Sequence, residues 1–547
     1  MRTTPKLAAV LAIGLTATLA LAACGSKRED TNNSGNGGGG GDASTGSDSR
    51  VDEAKKLLED AGVSIPVRLS LQYNNDHYGD SSDQEYGVVK DQLDATGLFE
   101  VDLQSTEWVT YNEQRTSDYP AYQLGWFPDF PDADNYLTPF FEKENFLSNH
   151  FDSKAVQDLL ARERVETDPT AREALLVEAQ EEVAAELSTI PLLQGSQIAV
   201  TGQDMAGVDA TMDASFQFRF STFVKGGDPA AIVNVGTTDE VTGLDPAATY
   251  DNGSYLVQTN VFPMVMSFKQ GDPSPQPDMA ESCEFSADGK QFICKIRPGL
   301  KWANGHTLDA NDVKFSYDRQ KAIADPNGPS SLLANLVSTD APDAQTVVFN
   351  LDGANDVTFA QVLASPVGPI VDDEVFSATE VTDADTIVGA NAFAGAYTIN
   401  TFEVNELIEY APNPDYDGVQ GKAQNGGVVM NYYKESNNMR LDIESGTIDV
   451  VWRSLTATDY EQLEAGGSVK VLHGPGGEIR YIVFNLETMP GDTDDQKLAI
   501  RKAVALSIDR AELASEVYKG TYTPLCSYVP DGLPGATEAV CDKYGGK

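Results

Sequence analysis

Histidine is scarce in this chain, with four in 547 residues, His77, His150, His306 and His473, all far apart. HExxH, GxSxG, GxxxxGK[ST] and the dinucleotide glycine fingerprint are all absent, which removes the sequence signatures of zinc peptidases, α/β-hydrolases, P-loop enzymes and nicotinamide enzymes. No catalytic residue, metal or cofactor is therefore expected. Basic side chains are also few: 38 Lys and Arg against 84 Asp and Glu give a net charge of -46. Such a surface repels phosphate backbones and anionic lipid, so nucleic acid is excluded as a partner. Only one long apolar run occurs, Leu7–Ala23, so the chain is not a membrane bundle.

What is present is enough to fold. At 547 residues, 41% of them hydrophobic, the chain exceeds a single core, and two or three domains are expected. Arg2 and Lys6 precede the apolar run, and "LAAC" then meets Gly25. This resembles a bacterial lipoprotein signal over residues 1–24, which implies that Cys24 is the lipidated first residue after cleavage. Residues 25–50 are glycine and polar side chains, read as a tether averaging about 28 Å end to end. The expected address is the outer face of a bacterial cytoplasmic membrane, reached through a lipid anchor.

Four cysteines remain, in two close pairs. In "CEFSADGKQFIC" an Asp288-Gly289 turn pairs Ala287 with Lys290, and counting outward sets Cys283 opposite Cys294. "CSYVPDGLPGATEAVC" is a loop that a Cys526–Cys541 bond would close. Outside the cytoplasm, disulfides are the expectation for both pairs.

Periodicity divides the chain. Residues 51 to about 198 alternate helix and strand ("VDEAKKLLEDAG", "VRLSLQY", "YGVVKDQLDATG", "FEVDLQST"), with Asp168 and Pro169 opening a long helix. From 232 onward short strands dominate, such as "IVNVGTT", "KQFICKI" and "TVVFNL".

Four stretches carry a resemblance: "TGLDPAATYDNGSY" (242–255), the run from "MAESCEFSADGK" to "VKFSYDR" (279–319), "QKLAIRKAVALSIDRAELASEVYKG" (496–520) and "PDGLPGA" (530–536). Together they resemble family 5 extracellular solute-binding proteins, the dipeptide- and oligopeptide-binding lipoproteins of ABC importers. The resemblance implies an α/β, two-lobed periplasmic-binding-protein-like fold with three domains and a ligand cleft between the lobes. It implies a monomer that captures short peptides, delivers them to ABC permease subunits and is not an enzyme. An oligosaccharide receptor of the same fold is the alternative, and a secreted hydrolase using paired carboxylates is a remote one.

The family order, however, is reversed: material like 232–547 comes first there, and 51–225 follows it. The chain thus resembles a circular permutant. This implies a second lobe of 51–198 plus 484–547, a first lobe of 199–262 plus 392–483 with an extra domain at 263–391, and a hinge crossing at 480–487. Val51 and Lys547 should then lie within about 20 Å.

The stretch "GWFPDFPDADNY" (125–136) resembles the family's G-W-x-x-D motif, which implies that Asp129 grips the ligand's α-amino group beside Trp126 and Phe127. A carboxylate among aromatics loses hydration and favours a cationic partner. The competing readings are an acidic surface turn capping a helix and a cation site of Asp129, Asp132 and Asp134, which lacks the glycine and distal Glu of a calcium loop. Some members carry an arginine three residues before the tryptophan; here Gln123 stands there. Trp452, Trp108 and Trp302 are further candidates for the cleft wall.

Overall fold

The computed structural model describes residues 43–74, 78 and 81–546, with side chains from Ser49 onward. The lipoprotein signal and Cys24 lie outside these residues, as do His77 and Lys547. Residues Ser47–Lys547 form one compact unit.

Its architecture is α/β in two lobes. A six-stranded sheet runs in the order Phe99–Ser105, Val67–Tyr73, Ala121–Trp126, Ile479–Phe484, Thr189–Gly195, Tyr522–Pro524. The first three strands are parallel, and Ile479–Phe484 runs antiparallel between Ala121–Trp126 and Thr189–Gly195. All six residues of Ile479–Phe484 are buried, as a central strand covered on both faces requires. Segments more than 280 residues apart thus build one sheet. One core likewise joins Leu58, Leu69 and Val89 to Ile500, Val504 and Tyr544. Arg50 Nη1 donates to the Gly545 carbonyl at 2.7 Å.

A seven-stranded sheet builds the other lobe, in the order Tyr397–Glu403, Leu407–Pro412, Gly427–Tyr432, Ile232–Thr237, Val450–Trp452, Gln197–Thr201, Lys470–Gly474. Attached to it is a four-stranded antiparallel sheet, Ala280–Phe285, Gln291–Ile296, Thr346–Leu351 and Leu336–Asp343. Its first hairpin has the register that the Asp288-Gly289 turn dictates, with Cys283 opposite Cys294. Both expected disulfides are present, Cys283–Cys294 and Cys526–Cys541. The loop 226–230, between the bridge strand Val224–Lys225 and Ile232–Thr237, is exposed.

Two elements differ from the sequence reading. The first helix runs Ala43–Asp60, so it enters residues expected to be tether. The lobe crossing is not at 480–487, whose first five residues lie in the strand Ile479–Phe484, but just before it at 475–478, alongside a second crossing at Ser196. The two crossings are tied together: the Gly195 amide donates to Glu478 O at 2.9 Å, and Gln197 Nε2 donates to Pro475 O at 2.8 Å. A Cβ on Gly476 would lie 1.8 Å from the Gly195 carbonyl oxygen, so only glycine fits this approach.

Candidate functional site

Beside the paired crossings lies a cleft of about 1170 Å³, walled by both lobes. Its volume lies just above the roughly 300–1,000 Å³ usual for small-molecule sites. Asp129, Trp126, Phe127, Trp108 and Trp452 all line it.

Asp129 is delivered by the strand Ala121–Trp126 and the proline-stiffened turn after it. Asn135 fixes that turn from the first residues of the helix Asp134–Phe141. Its Oδ1 accepts from Trp126 Nε1 at 3.1 Å and from the Asp129 amide at 2.9 Å, while its Nδ2 donates to Asp129 Oδ2 at 2.9 Å. The other Asp129 oxygen accepts from the hydroxyl of Tyr250, which belongs to the first lobe. Among the described residues, both side-chain partners of Asp129 are therefore neutral donors. Burial raises its pKa above the ordinary carboxylate value, and the hydrogen bonds from Asn135 and Tyr250 oppose that rise.

The remaining acids of the motif are committed elsewhere. Asp132 holds Arg172 through two bonds of 2.7 and 2.8 Å, and Arg172 Nε reaches Glu163 at 2.9 Å. Asp134 accepts from Thr138 Oγ1 and lies 3.9 Å from Arg164. Asp132, Asp134 and Asn135 are buried, so the segment is not a surface turn. Ala133, at the helix N-cap, makes no side-chain bond, but Asp132 Oδ1 accepts from the Asp134 amide at 2.9 Å, so an acid of the motif does satisfy the first turn of the helix. Tyr136 Oη braces the motif against the hinge by donating to Gly477 O at 2.7 Å.

The tryptophans are mostly structural. Trp452 is 3% exposed and stacks on Phe218 with ring centres 3.9 Å apart. Trp126 meets Phe140 edge-on at 5.0 Å. Trp108 packs on Tyr111 and Tyr78 at 5.9 and 5.6 Å. Trp302 does not line the cleft; it is 2% exposed in the attached domain and donates to Asp312 at 3.2 Å. Gln123 is also away from the cleft wall. It is fully buried and bonds the Asn74 amide and Ser82 Oγ.

Sequence reasoning missed Tyr250, Arg453, Glu478 and Arg480, which also line the cleft. Arg453 follows Trp452 in a left-handed conformation, φ 44°, as does Ser454, φ 70°. Such pairs of non-glycine residues are uncommon and concentrate at functional sites. Arg453 contacts Asp239 at 3.1 Å and lies 5.5 Å above the Phe127 ring, bridging the lobes.

Two lobes with a cleft at paired crossings are the architecture of the periplasmic-binding-protein type. The sequence profile described as bacterial extracellular solute-binding proteins, family 5 (middle) matches residues 18–148 and 274–544, more than half of the chain. The chain belongs to that family. A probable D,D-dipeptide-binding periplasmic protein of Escherichia coli is 25% identical over 312 residues, 56% of this chain and 58% of the relative. Heme-binding protein A of Haemophilus influenzae is 24% identical over 325 residues, 55% of this chain and 57% of the relative. The chain thus spans little more than half the length of these curated relatives. A periplasmic binding protein of Helicobacter pylori, solved with the peptide STSA, is 21% identical, with a TM-score of 0.38 over 44% of this chain and 49% of that one. Among the described residues, no helix is long and apolar enough to cross a membrane.

Proposed function

We propose that this protein is the extracytoplasmic substrate-binding component of an ABC importer, taking short peptides by their amino terminus and doing no chemistry on them. The observation that carries the reading is Asp129: a carboxylate on the wall of the interlobe cleft, among aromatics, whose side-chain partners are neutral. A ligand ammonium would supply the missing cation and offset the burial that raises its pKa. The relatives' printed ligands differ, a D,D-dipeptide and heme, so the ligand class is argued from the site. The oligosaccharide alternative needs open tryptophan faces, whereas Trp452 is covered by Phe218 and Trp126 is engaged by Phe140. Native mass spectrometry of the purified protein separates the readings: co-purified masses of short peptides support this one, and hexose-spaced masses overturn it.

The same reading includes lipidation of Cys24, a monomeric body leashed to the membrane, delivery to permease subunits, and a permuted chain order. Three observations support the permutation. Residues 67–195 and 479–524 complete one sheet, Arg50 bonds Gly545, and the family match falls in two blocks while each relative is reached over little more than half its length.

A further inference from the structure

The cleft has a second pole, built from two arginines of opposite lobes. Arg480 lies on the strand Ile479–Phe484 directly across from Gly125. A Cβ at position 125 would meet its Nη1 at 3.3 Å, so the glycine leaves room for the guanidinium to lie over the neighbouring strand. Arg480 is 6% exposed and sits 4.9 Å from the centre of the Tyr78 ring. One nitrogen, Nη2, is engaged, by Glu478 at 2.6 Å and Tyr78 O at 3.4 Å. Nε and Nη1 are buried without a hydrogen-bond partner among the described residues. A buried guanidinium with open donors is costly unless an acceptor reaches it, and a carboxylate is the acceptor its fork matches best.

Arg453 comes from the first lobe, and the Glu478 carboxylate acts on both guanidinium groups. Burial works against the charge of each arginine, and Asp239 and Glu478 for Arg453, with Glu478 and neighbouring tyrosines for Arg480, outweigh it. Both therefore stay charged. Glu85 also acts on Arg480, and its own pKa is raised by burial. Arg453 lies over the Phe127 ring, two residues before Asp129, and Arg480 sits across the sheet from Gly125.

The spacing of the poles has a length scale. Asp129 lies four residues beyond Gly125, so the two poles are at most about 14 Å apart along the backbone, and less because the segment turns. Gln123, where some family members carry an arginine, is occupied inside the fold.

We infer that Arg480, with Arg453 closing from the other lobe, receives the free α-carboxylate of the ligand, so that the cleft holds a short peptide between Asp129 and Arg480. This rests on the peptide reading above.

Calorimetry with trialanine, trialanine amide and N-acetyl-trialanine tests it. On the unaltered protein the amide should bind at least tenfold more weakly than the acid. Arg480→Gln should weaken trialanine by a similar factor and leave acid and amide equal, and Arg480→Lys should restore part of the preference. Equal binding of acid and amide by the unaltered protein, or an undiminished preference in Arg480→Gln, overturns the assignment. If Arg480→Gln does not fold, the acid–amide comparison and Arg480→Lys decide. Loss on acetylation with acid and amide equal leaves the peptide reading standing and removes Arg480. If none of the three peptides binds, both fall.

Discussion

Asp129 in one lobe accepts the hydroxyl hydrogen of Tyr250 in the other, 121 positions away. The contact spans the cleft, and it favours the ionised carboxylate. An ammonium ligand needs that ionised form, while burial raises the Asp129 pKa above 3.8. Affinity for a free-amine peptide should therefore fall about tenfold per pH unit once pH drops below this raised value. Tyr250→Phe removes a donor to the charged form, so the fall should begin at higher pH. The sign for stability is opposite to that of a paired carboxylate: with a raised folded pKa, ionised Asp129 is a burden above it. Asp129→Asn should leave the ligand-free melting temperature at pH 7 unchanged or higher. Titrations carried from pH 8 down to pH 3 that show a flat affinity contradict this account.

The hinge depends on a glycine that touches backbone. In Gly476→Ala the new methyl would meet the Gly195 oxygen at 1.8 Å, and the neighbouring backbone must shift. Denaturant unfolding should show a loss of about 2 kcal/mol or more. A loss below about 0.5 kcal/mol would mean that the two crossings are not locked together.

Cys526–Cys541 closes a loop with a sequence separation of 15. Its removal in Cys526→Ser with Cys541→Ser should cost about 3 kcal/mol in stability by loop entropy. Ligand affinity should be unchanged, because neither cysteine lines the cleft. A folded double variant that no longer binds would contradict that separation of roles.

Reordering the chain tests the permutation. A protein that runs 232–547 and then 51–225, joined by a short linker, keeps every strand pairing of both large sheets. It should melt within a few degrees of the native order and bind the same peptides. An insoluble or non-binding product would show that the present order is required.

Much of the fold was legible because local rules set it. The Asp288-Gly289 turn fixed the hairpin register, and alternation marked Val67–Tyr73 residue for residue and Phe99–Ser105 to within one residue. The start of the first helix was not legible, since "ASTGSDSR" has no apolar period. The hinge was misplaced because "YIVF" belongs to a doubly covered strand, and the glycine pair in "GPGGE" just before that strand was the better signal. Asp129 could be found because its motif is contiguous. Arg480, Arg453 and Tyr250 could not, because the sheet pairing of Gly125 with Arg480 and the meeting of two lobes place them together. Trp452 does line the cleft, but the Phe218 ring stacked on it was not legible in the sequence.

The central claim is that Asp129 holds the ligand's ammonium group. Its most direct test is calorimetric titration of the native protein and Asp129→Asn with one tripeptide, free and N-acetylated. The account predicts that acetylation and the substitution each weaken binding by about 2–5 kcal/mol, and that together they cost little more than either alone, because both remove the same buried charge pair. Equal binding of free and acetylated peptide by the native protein would contradict it.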